Sequence, residues 1–336
     1  MATHSIISID AMSGDLGAEV VVRACHAALA DNPNIELIVV GDEQELRGHA
    51  ARVFGDEPRL QIVHASQVVE MSDSPIDAMR KKKDSSMRVA INLVQEGRAQ
   101  ACVSAGNTGA LMATAKFVLK MLPGIDRPAI ITELPAKGGT LHMLDLGANT
   151  LCTADHLFQF AVMGSIVTED ITGIENPRVA LLNIGAEDTK GHDTVKEAAS
   201  MLKGSTMNYV GFIEGSELFT GKADVVVTDG FTGNVALKTM EGTVGLAKHY
   251  LKRAFTRDLF SRFQALLARP VLKGLRKRMD PRRFNGATLV GLNGIVVKSH
   301  GSADAYAFMH AIQTAAVEVE KQVPQQIGNL LQKEAA

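Results

Sequence analysis

The sequence contains few cysteines and no long apolar run. Its 336 residues include only three cysteines, Cys25, Cys102 and Cys152, which are widely spaced and form no CxxC pair. This pattern predicts neither a disulfide framework nor a zinc site, and it fits a reducing compartment. No stretch approaches the roughly 18 apolar residues of a membrane-spanning helix, and the first residues lack the pattern of an export signal. We therefore expect a cytoplasmic globular protein.

Several common catalytic motifs are also missing. The chain has no GxxxxGK[ST], no GxGxxG that opens a helix after a strand, no GxSxG and no HExxH. These absences argue against a P-loop nucleotide site, a common dinucleotide fingerprint, a serine hydrolase and a zinc protease. Ser302 follows His300 by two residues, but that spacing alone does not build a nucleophilic triad. The motifs therefore indicate no common nucleotide cofactor and no zinc site.

Charge is unevenly distributed, although the formal net charge is only −2. Between Lys248 and Arg283 there are twelve Lys or Arg residues and two acidic residues, whereas the remainder has 23 basic and 35 acidic residues. A basic segment within an acidic body indicates an anionic partner. Nucleic acid is the weaker choice, because no reader motif accompanies the charge and aromatic residues form only 4% of the chain.

Short β-branched runs alternate with helical patterns along the chain. This alternation predicts βαβ crossovers and therefore a three-layer α/β fold, in which a mostly parallel, Rossmann-like sheet has helices on both faces. The Pro/Gly-rich stretch 122–128 reads as a loop rather than a linker, so we expect one catalytic domain over residues 1–336. The predicted strands are 5–10, 35–40, 60–64, 100–104, 129–133, 140–146, 178–184, 208–213, 223–228 and 288–298. The predicted helices are 17–30, 86–97, 108–121, 153–167, 190–202 and 233–250.

Five strand-to-helix corners carry small and polar residues. They read SAGNTGA (104–110), LDLGANT (144–150), LNIGAEDTKGH (182–192), TDGFTGN (228–234) and KSHGSAD (298–304). Glycines let backbone N–H groups approach a ligand, and helix N-termini favour anions, so the set predicts a phosphate site. Each corner alone could be an ordinary helix cap. The set contains additional polar groups that capping does not require: Asn107, Lys190, His192, Asn234 and His300.

Two carboxylates surround the first turn, IDAMSGDLGAE (9–19). Asp10 and Asp15 would repel phosphate, so we interpret them as organisers of the site. Asp10 can accept hydrogen bonds from neighbouring loops or hold Lys190, and Asp15 can cap the helix that begins near Leu16. A magnesium ion at this turn is the lesser alternative.

The basic segment, residues 246–284, predicts an amphipathic helix. Apolar residues recur at spacings of three and four, and most basic residues fall elsewhere on the helical wheel. The segment could pack on its own core or on a dimer mate, or it could contact anionic lipid headgroups or an acidic carrier protein. The residues predicted to make that contact are Leu251, Phe255, Leu259, Phe263, Leu267, Arg253, Arg257 and Arg262.

Eight sequence blocks together resemble one known family. The blocks are DAMSGDLG, SAGNTGALMA, RPAI, LDLGAN, LLNIGAEDTKG, YVGFIEG, ADVVVTDGFTGNVALKTMEG and GLNGIVVKSHGSAD. In this order they resemble the bacterial acyl-ACP:phosphate acyltransferase family from residue 9 to residue 304. The chain departs from the usual family pattern at four loop positions: Ser13, Ala186, His192 and Ala303.

The resemblance implies a function and partners. It implies transfer of a long-chain fatty acyl group from acyl carrier protein to inorganic phosphate, which forms an acyl phosphate for phospholipid synthesis. It also implies a fold similar to phosphotransacetylases and isopropylmalate dehydrogenases, a homodimer, and no metal or nucleotide. The protein would associate peripherally with the inner face of the cell membrane, where a glycerol-3-phosphate acyltransferase consumes its product. A small-acyl phosphotransacetylase, a dehydrogenase of related fold and a non-catalytic membrane scaffold remain as alternatives.

This chemistry suggests roles for the residues at the corners. Phosphate is itself a nucleophile, so the protein must position it and stabilise the oxyanion. Lys190 would supply charge to phosphate, Asn234 or Asn107 would donate to the oxyanion, and His300 would protonate the leaving thiolate. The predicted substrate-binding residues are Asp10, Gly14, Asp15, Ser104, Gly106, Asn107, Thr108, Gly109, Asn149, Asp229, Gly230, Gly233, Gly301 and Ser302.

Overall fold

The structure, a computed structural model, describes residues 4–54, 57–278 and 280–334. Eleven strands lie within these ranges. In chain order they are β1 Ser5–Asp10, β2 Ile35–Gly41, β3 Leu60–His64, β4 Ala101–Ser104, β5 Ala129–Ala136, β6 Gly139–Leu144, β7 Val179–Asn183, β8 Tyr209–Glu214, β9 Val225–Val227, β10 Ala287–Val290 and β11 Ile295–Lys298. The strand predicted at 288–298 is therefore two strands, because a turn at Gly291–Gly294 reverses the chain.

Twelve α-helices are present in the same ranges. They are α1 Gly17–Asp31, α2 Glu43–Val53, α3 Pro75–Lys81, α4 Ser86–Gln95, α5 Thr108–Leu119, α6 Ala154–Thr172, α7 Asp193–Lys203, α8 Gly230–Thr256, α9 Leu259–Leu267, α10 Arg269–Arg278, α11 Ala305–Lys321 and α12 Val323–Glu334. The six predicted helices are all present within a few residues of their expected ends. The sequence patterns had not predicted α2, α3, α11 or α12.

All eleven strands join one sheet in the order β3-β2-β1-β4-β11-β10-β5-β6-β9-β7-β8. Seven of its ten strand pairings are parallel, so the expected mostly parallel sheet is confirmed. The three antiparallel pairings are consecutive and lie at the centre, from β11 through β10 and β5 to β6. They reverse the direction of the sheet between its two halves.

This reversal divides the polar corners into two groups. The strands β1, β4 and β11 end at one edge of the sheet, which we call the first edge. The strands β6, β9 and β7 run the opposite way and end at the second edge. Because ligands bind outside the carboxyl ends of strands, the corners do not form the single cluster that the sequence suggested.

Helices cover both faces of the sheet, as a three-layer fold requires. On one face, α1 and α11 pack over the first half of the sheet, and α6, α7 and α12 pack over the second half. The opposite face carries α4 and α5, with the start of α8 packed against the same core. The alternation of side chains along each strand decides which core a residue joins.

The basic segment is not the single amphipathic helix that we predicted. It consists of the end of α8, then α9 and α10, followed by a 3-10 turn at Pro281–Phe284. The break before α9 occurs at Asp258, whose carboxylate accepts a hydrogen bond from the Ser261 backbone N–H at 2.8 Å and caps the new helix. Large apolar side chains are exposed along the segment, among them Leu251, Leu259, Phe263 and Leu267. None of the helices in the described part of the chain is long and apolar enough to cross a membrane.

Candidate active site

Three strand ends at the first edge bring polar side chains together. Strand register places Asp10 beside Ser104, and Ser104 beside Lys298. The residue before each of them lies in the core under α1 and α11, so these three side chains point to the face of α5 and α8. The Ser104 hydroxyl donates to Asp10 Oδ2 at 2.6 Å and accepts from the Gly106 backbone N–H at 3.1 Å. Together with Ser13, these residues form what we call the first-edge cluster.

Lys298 is the charged centre of the first-edge cluster, and the sequence predictions had not included it. Its ammonium group donates to the Ser299 carbonyl and, at 3.4 Å, to the Ala105 carbonyl. Burial lowers the pKa of Lys298 from its usual 10.5 to about 8. The carboxylates of Asp10 and Asp15 oppose that shift, and the charge of Lys238 adds to it. The side chain is therefore largely protonated at neutral pH.

The loops after β1 and β11 are in direct contact. The Asp15 backbone N–H donates to the Gly301 carbonyl at 2.8 Å. Gly14 has φ +117°, a conformation that favours glycine, and a Cβ there would lie 3.1 Å from Ala105 Cβ. The prediction that Asp15 caps α1 is wrong, because the N-cap residue is Leu16 and receives no side-chain hydrogen bond. Asp15 instead faces the loop after β11, since a Cβ on Gly301 would lie 3.1 Å from its carboxylate.

Two buried polar atoms of the first-edge cluster lack hydrogen-bond partners within the described residues. They are Asp10 Oδ1 and the Ser13 hydroxyl, on side chains that are 0% and 2% exposed. A Cβ on Gly106 would lie 2.9 Å from the Ser13 hydroxyl, so the glycine lets this loop approach closely. Buried polar groups are rarely left unpaired in proteins, and such groups point to a missing water, ion or ligand.

Asn107 has a structural role at the N-terminus of α5. Its side-chain oxygen accepts from the Ala110 backbone N–H at 2.9 Å, and its amide donates to the Met71 carbonyl at 2.7 Å. Both ends of the amide are thus engaged, so the geometry favours the capping interpretation over an oxyanion donor. Thr108 begins α5 itself, and Gly109 packs closely against Pro75.

His300 lies exposed in the loop after β11. Its backbone N–H donates to Asn285 Oδ1 at 3.0 Å, and Nδ1 accepts from the Ser302 backbone N–H at 3.3 Å. The Ser302 hydroxyl is also 2.9 Å from Nδ1. Asn285, which the sequence patterns had not singled out, further donates to Ser299 Oγ at 2.8 Å and so fixes this loop. Nδ1 is held within the loop, which leaves Nε2 as the nitrogen able to meet a ligand.

The second edge has its own buried carboxylate, Asp145. Its Oδ1 accepts backbone N–H bonds from Ile130 and Ala148, both at 3.0 Å. Its Oδ2 accepts from the Asn149 backbone N–H at 2.7 Å and from the Asn149 side-chain amide at 2.9 Å. Burial raises the pKa of Asp145, although these four hydrogen bonds act in the opposite direction. With Asn149, Gly230 and Gly233, it forms what we call the second-edge cluster.

The start of α8 is seated on the second-edge cluster. Asp229 caps the helix by accepting from the Thr232 backbone N–H at 2.9 Å, and the Gly230 N–H donates to the Asn149 carbonyl at 2.7 Å. A Cβ on Gly233 would lie 2.0 Å from the Asp145 carbonyl oxygen, so only glycine allows this contact. The residues Asn149, Asp229, Gly230 and Gly233 therefore position α8 by contacts that need no substrate.

The helix α8 links the two edges. Asn234 is exposed in its first turn, with its side chain over Gly147, which has φ +126°. Lys238 follows one turn later, and residues four apart lie on the same face of a helix. Residues of α8 pack against the same core as α5, on the face of the sheet to which the first-edge side chains point. The first-edge cluster, on this face, is the candidate active site.

Lys190 lies outside both clusters. It is exposed on the loop between β7 and α7, and its backbone carbonyl accepts from the Asn183 amide at 3.1 Å. Seven strand steps separate β1 from β7, which is roughly 30 Å along a sheet. The prediction that Asp10 holds Lys190 is therefore wrong within this chain. The lysine that acts on Asp10 is Lys298, and strand alternation from the buried run IVV (295–297) could have placed it on the same face.

Solved phosphotransacetylases share the fold of this chain. A phosphotransacetylase from Streptococcus pyogenes aligns with a TM-score of 0.62 at 20% identity and covers 94% of each chain. One from Staphylococcus aureus gives 0.60 at 17% identity and covers 95% of each. These likenesses show the fold, and they confirm the predicted similarity to phosphotransacetylases.

Sequence relatives define the family more narrowly. The profile of the fatty acid synthesis protein family matches residues 6–326. A phosphate acyltransferase from Alkalilimnicola ehrlichii is 59% identical over 98% of this chain and 97% of its own length. One from Methylococcus capsulatus is 56% identical over 96% and 95%. The protein is thus an α/β enzyme of phosphotransacetylase fold. It belongs to the phosphate acyltransferase family, and the resemblance found in the sequence is confirmed.

Proposed function

We propose that this enzyme transfers a long-chain fatty acyl group from acyl carrier protein to inorganic phosphate, in the service of phospholipid synthesis. The observation that carries the proposal is the identity of 59% and 56%, over nearly the whole chain, to two relatives named phosphate acyltransferase. An oxygen lone pair of phosphate attacks the thioester carbonyl, the C–S bond breaks, and the products are acyl phosphate and the carrier thiol. The thiolate acquires its proton from an acid in the site or from solvent.

Three residues are proposed to carry this reaction. Asn234 donates its amide to the thioester oxyanion from near the start of α8, where its side chain is exposed. His300 protonates the leaving thiolate through Nε2, because Nδ1 is engaged with Ser302. Lys190 supplies positive charge to phosphate from its exposed loop, which lies outside both clusters.

The remaining corner residues shape the site. Gly106 and Gly301 allow backbone donors to approach phosphate, and Asp10, Asp15 and Ser104 fix the loops that carry them. We propose that the chain acts as one catalytic domain, since its eleven strands form one sheet.

The basic segment, residues 246–284, is the proposed contact for the acidic carrier protein or for anionic lipid headgroups. Exposed apolar side chains, including Leu259 at 82% and Leu267 at 66%, accompany Arg253, Arg257 and Arg262 there. Apolar insertion beside basic residues suits peripheral binding to the inner face of the cell membrane. A homodimer partner and a downstream glycerol-3-phosphate acyltransferase are further proposed contacts.

The decisive experiment mixes the purified protein with palmitoyl-acyl carrier protein and phosphate, traps acyl phosphate with hydroxylamine, and counts the released carrier thiol. Acyl phosphate that requires phosphate and matches thiol release supports the proposal. Thiol release without acyl phosphate would indicate a thioesterase. Turnover of acetyl-coenzyme A in place of the carrier substrate would indicate a small-acyl phosphotransacetylase, and no turnover combined with vesicle binding would indicate a scaffold.

A further inference from the structure

We propose that Lys298 and Lys238 together hold the acceptor phosphate at the first-edge cluster, on the face of the sheet where Lys298 ends β11 and α8 packs. The inference rests on the proposed function, and it goes beyond it by assigning the acceptor to two lysines that the family resemblance did not mark. Four observations support the assignment: the fixed position of Lys298, the approach of Lys238, the balance of nearby charges, and the unpaired Ser13 hydroxyl.

Lys298 is held in place with a hydrogen-bond donor to spare. Strand register fixes its backbone beside Ser104, and its ammonium group donates to the carbonyls of Ala105 and Ser299. An ammonium group has three donors, so one remains for a ligand. Its partners are backbone atoms of the loops after β4 and β11, so the charge is positioned before phosphate arrives.

Lys238 brings a second positive charge on α8, which packs over the same face of the sheet. It lies on α8, where its ammonium group pairs with Glu241 at 2.9 Å while its side chain remains 53% exposed. Its charge is close enough to act on Lys298. Two ammonium groups in each other's vicinity repel, and an anion bound by both converts this repulsion into attraction.

The carboxylates near Lys298 determine its protonation state. Asp10 and Asp15 both favour its charged form, whereas Lys238 and burial disfavour it. These two carboxylates thus act as organisers, because they keep the lysine charged at neutral pH so that it can bind phosphate. This role answers why two acidic residues lie beside a site for an anion.

The Ser13 hydroxyl provides an independent sign of a ligand. It is buried, has no hydrogen-bond partner in the described part of the chain, and lies beside Gly106 at the approach to the α5 N-terminus. Phosphate offers oxygen acceptors to such a hydroxyl and to the free backbone N–H groups of a helix start. The hydroxyl, the helix start and the two lysines could then contact different oxygens of the same ion.

The test compares substitutions by two readouts, the KM for phosphate and the equilibrium binding of inorganic phosphate by calorimetry. We expect Lys238→Met to raise the KM for phosphate and to weaken phosphate binding, each about 10-fold or more, as loss of a charge-assisted hydrogen bond predicts. The KM for palmitoyl-acyl carrier protein should change less than about 2-fold. The matched control is Lys222→Met, which removes another exposed lysine that pairs with a glutamate. We expect that control to leave both phosphate readouts unchanged.

Lys298→Met would remove the buried charge directly, but it can also prevent folding. Two further variants therefore test the inference without it. Lys298→Arg retains the charge but changes the donor geometry, and we expect it to raise the phosphate KM about 3- to 10-fold. Ser13→Ala removes an unpaired hydroxyl, and we expect about a 3-fold loss of phosphate affinity. Unchanged phosphate binding in Lys238→Met and Ser13→Ala would overturn the inference.

The same data separate this inference from the proposed function. If the wild-type protein forms acyl phosphate but the variants keep its phosphate KM, the inference alone fails. If the wild-type protein forms no acyl phosphate, the function fails, whereas calorimetry still tests the phosphate site. Equal rises in the KM for phosphate and for the carrier substrate would also count against the inference, because they would indicate a general distortion of the site.

Discussion

The two edges of the sheet each contain a buried aspartate at the end of a strand, but they use it differently. At the second edge, the two oxygens of Asp145 accept four hydrogen bonds from its own loop and from β5. At the first edge, Asp10 receives one hydrogen bond from Ser104, and its other oxygen has no partner among the described residues. The carboxylate of Asp145 is saturated with hydrogen bonds, whereas that of Asp10 can accept more.

This difference indicates a division of labour. A saturated carboxylate organises its loop in the folded state without any ligand, so the second-edge cluster serves as the seat of α8. In the first-edge cluster, a ligand that pairs with the buried polar groups would lower the free energy, because leaving such groups unpaired is costly. The first edge is therefore the better candidate for binding, and the second edge for support.

The largest expected effect tests the seat of α8. Gly233→Ala would place a Cβ 2.0 Å from the Asp145 carbonyl oxygen, whereas a Cβ at Gly242 of the same helix meets nothing within 4 Å. We expect Gly233→Ala to lower the free energy of unfolding by about 3 kcal/mol and to abolish acyl phosphate formation. Gly242→Ala should keep stability or raise it by up to about 1 kcal/mol. Urea unfolding measures the stability of the two variants, and the hydroxylamine assay measures their acyl phosphate formation. Equal results for Gly233→Ala and Gly242→Ala would contradict the role of the second-edge cluster as the seat of α8.

The next effect compares the two aspartates directly. Asp145→Asn replaces acceptors with an amide that faces several donors, so we expect a loss of about 3 kcal/mol in the free energy of unfolding. Asp10→Asn disturbs a single hydrogen bond, from Ser104, and removes the negative charge that favours protonated Lys298. It should lower the free energy of unfolding by about 1 kcal/mol, mainly through the loss of that charge. The surface control Asp188→Asn, which weakens an exposed pair with Lys203, should cost no more than about 0.5 kcal/mol. The comparison fails if Asp10→Asn destabilises the protein as much as Asp145→Asn.

A third prediction concerns pH at the first edge. The pKa of Lys298 is lowered to about 8, so its charge is present below that pH and is lost as the pH rises through it. We expect kcat/KM for phosphate to decline about 10-fold per pH unit above about 8, because the neutral amine no longer attracts the anion. In Lys298→Arg this decline should disappear, since arginine stays charged. A wild-type profile identical to that of Lys298→Arg would exclude Lys298 as its origin.

The linked effect on stability has the opposite sign. Because the pKa of Lys298 in the folded protein lies below its usual 10.5, the unfolded chain binds more protons between pH 8 and 10.5. This group alone therefore makes the folded state more stable as the pH rises through that window. Activity and the stability contribution of Lys298 should thus change in opposite directions, which urea titrations of wild type and Lys298→Arg can measure.

The smallest effect on stability is expected in the basic segment, which belongs to neither edge. Leu259 is 82% exposed, so Leu259→Ser should change the free energy of unfolding by less than about 0.5 kcal/mol. The same substitution should weaken sedimentation with vesicles rich in anionic lipid, because it removes apolar surface. Ile76→Ser, which alters an exposed residue of α3, is the control and should not affect vesicle binding. Unchanged sedimentation of Leu259→Ser would count against lipid contact at α9.

The sequence by itself determined the family, nine of the strands and six of the helices, but not α2, α3, α11 or α12. These features are local patterns, which can be recognised without knowledge of the rest of the chain. They include the strand and helix periods, the polar corners, and the sequence blocks around Asp10, Asn234 and His300. Even the direction of the Lys298 side chain follows from alternation along IVV. The hairpin within 288–298 was also readable locally, because Asn293-Gly294 between two apolar runs is a turn signal that the prediction of a single strand overlooked.

The tertiary structure decided which corners meet. Three antiparallel pairings at the centre of the sheet send β6, β7 and β9 to the opposite edge, which separates Lys190 from Asp10 and makes α8 the link between the two clusters. It also decided that Asp145 is saturated whereas Asp10 and Ser13 are not. Strand direction and hydrogen-bond saturation depend on pairings between residues far apart in the chain, and the free energy of those pairings is a property of the whole packed sheet.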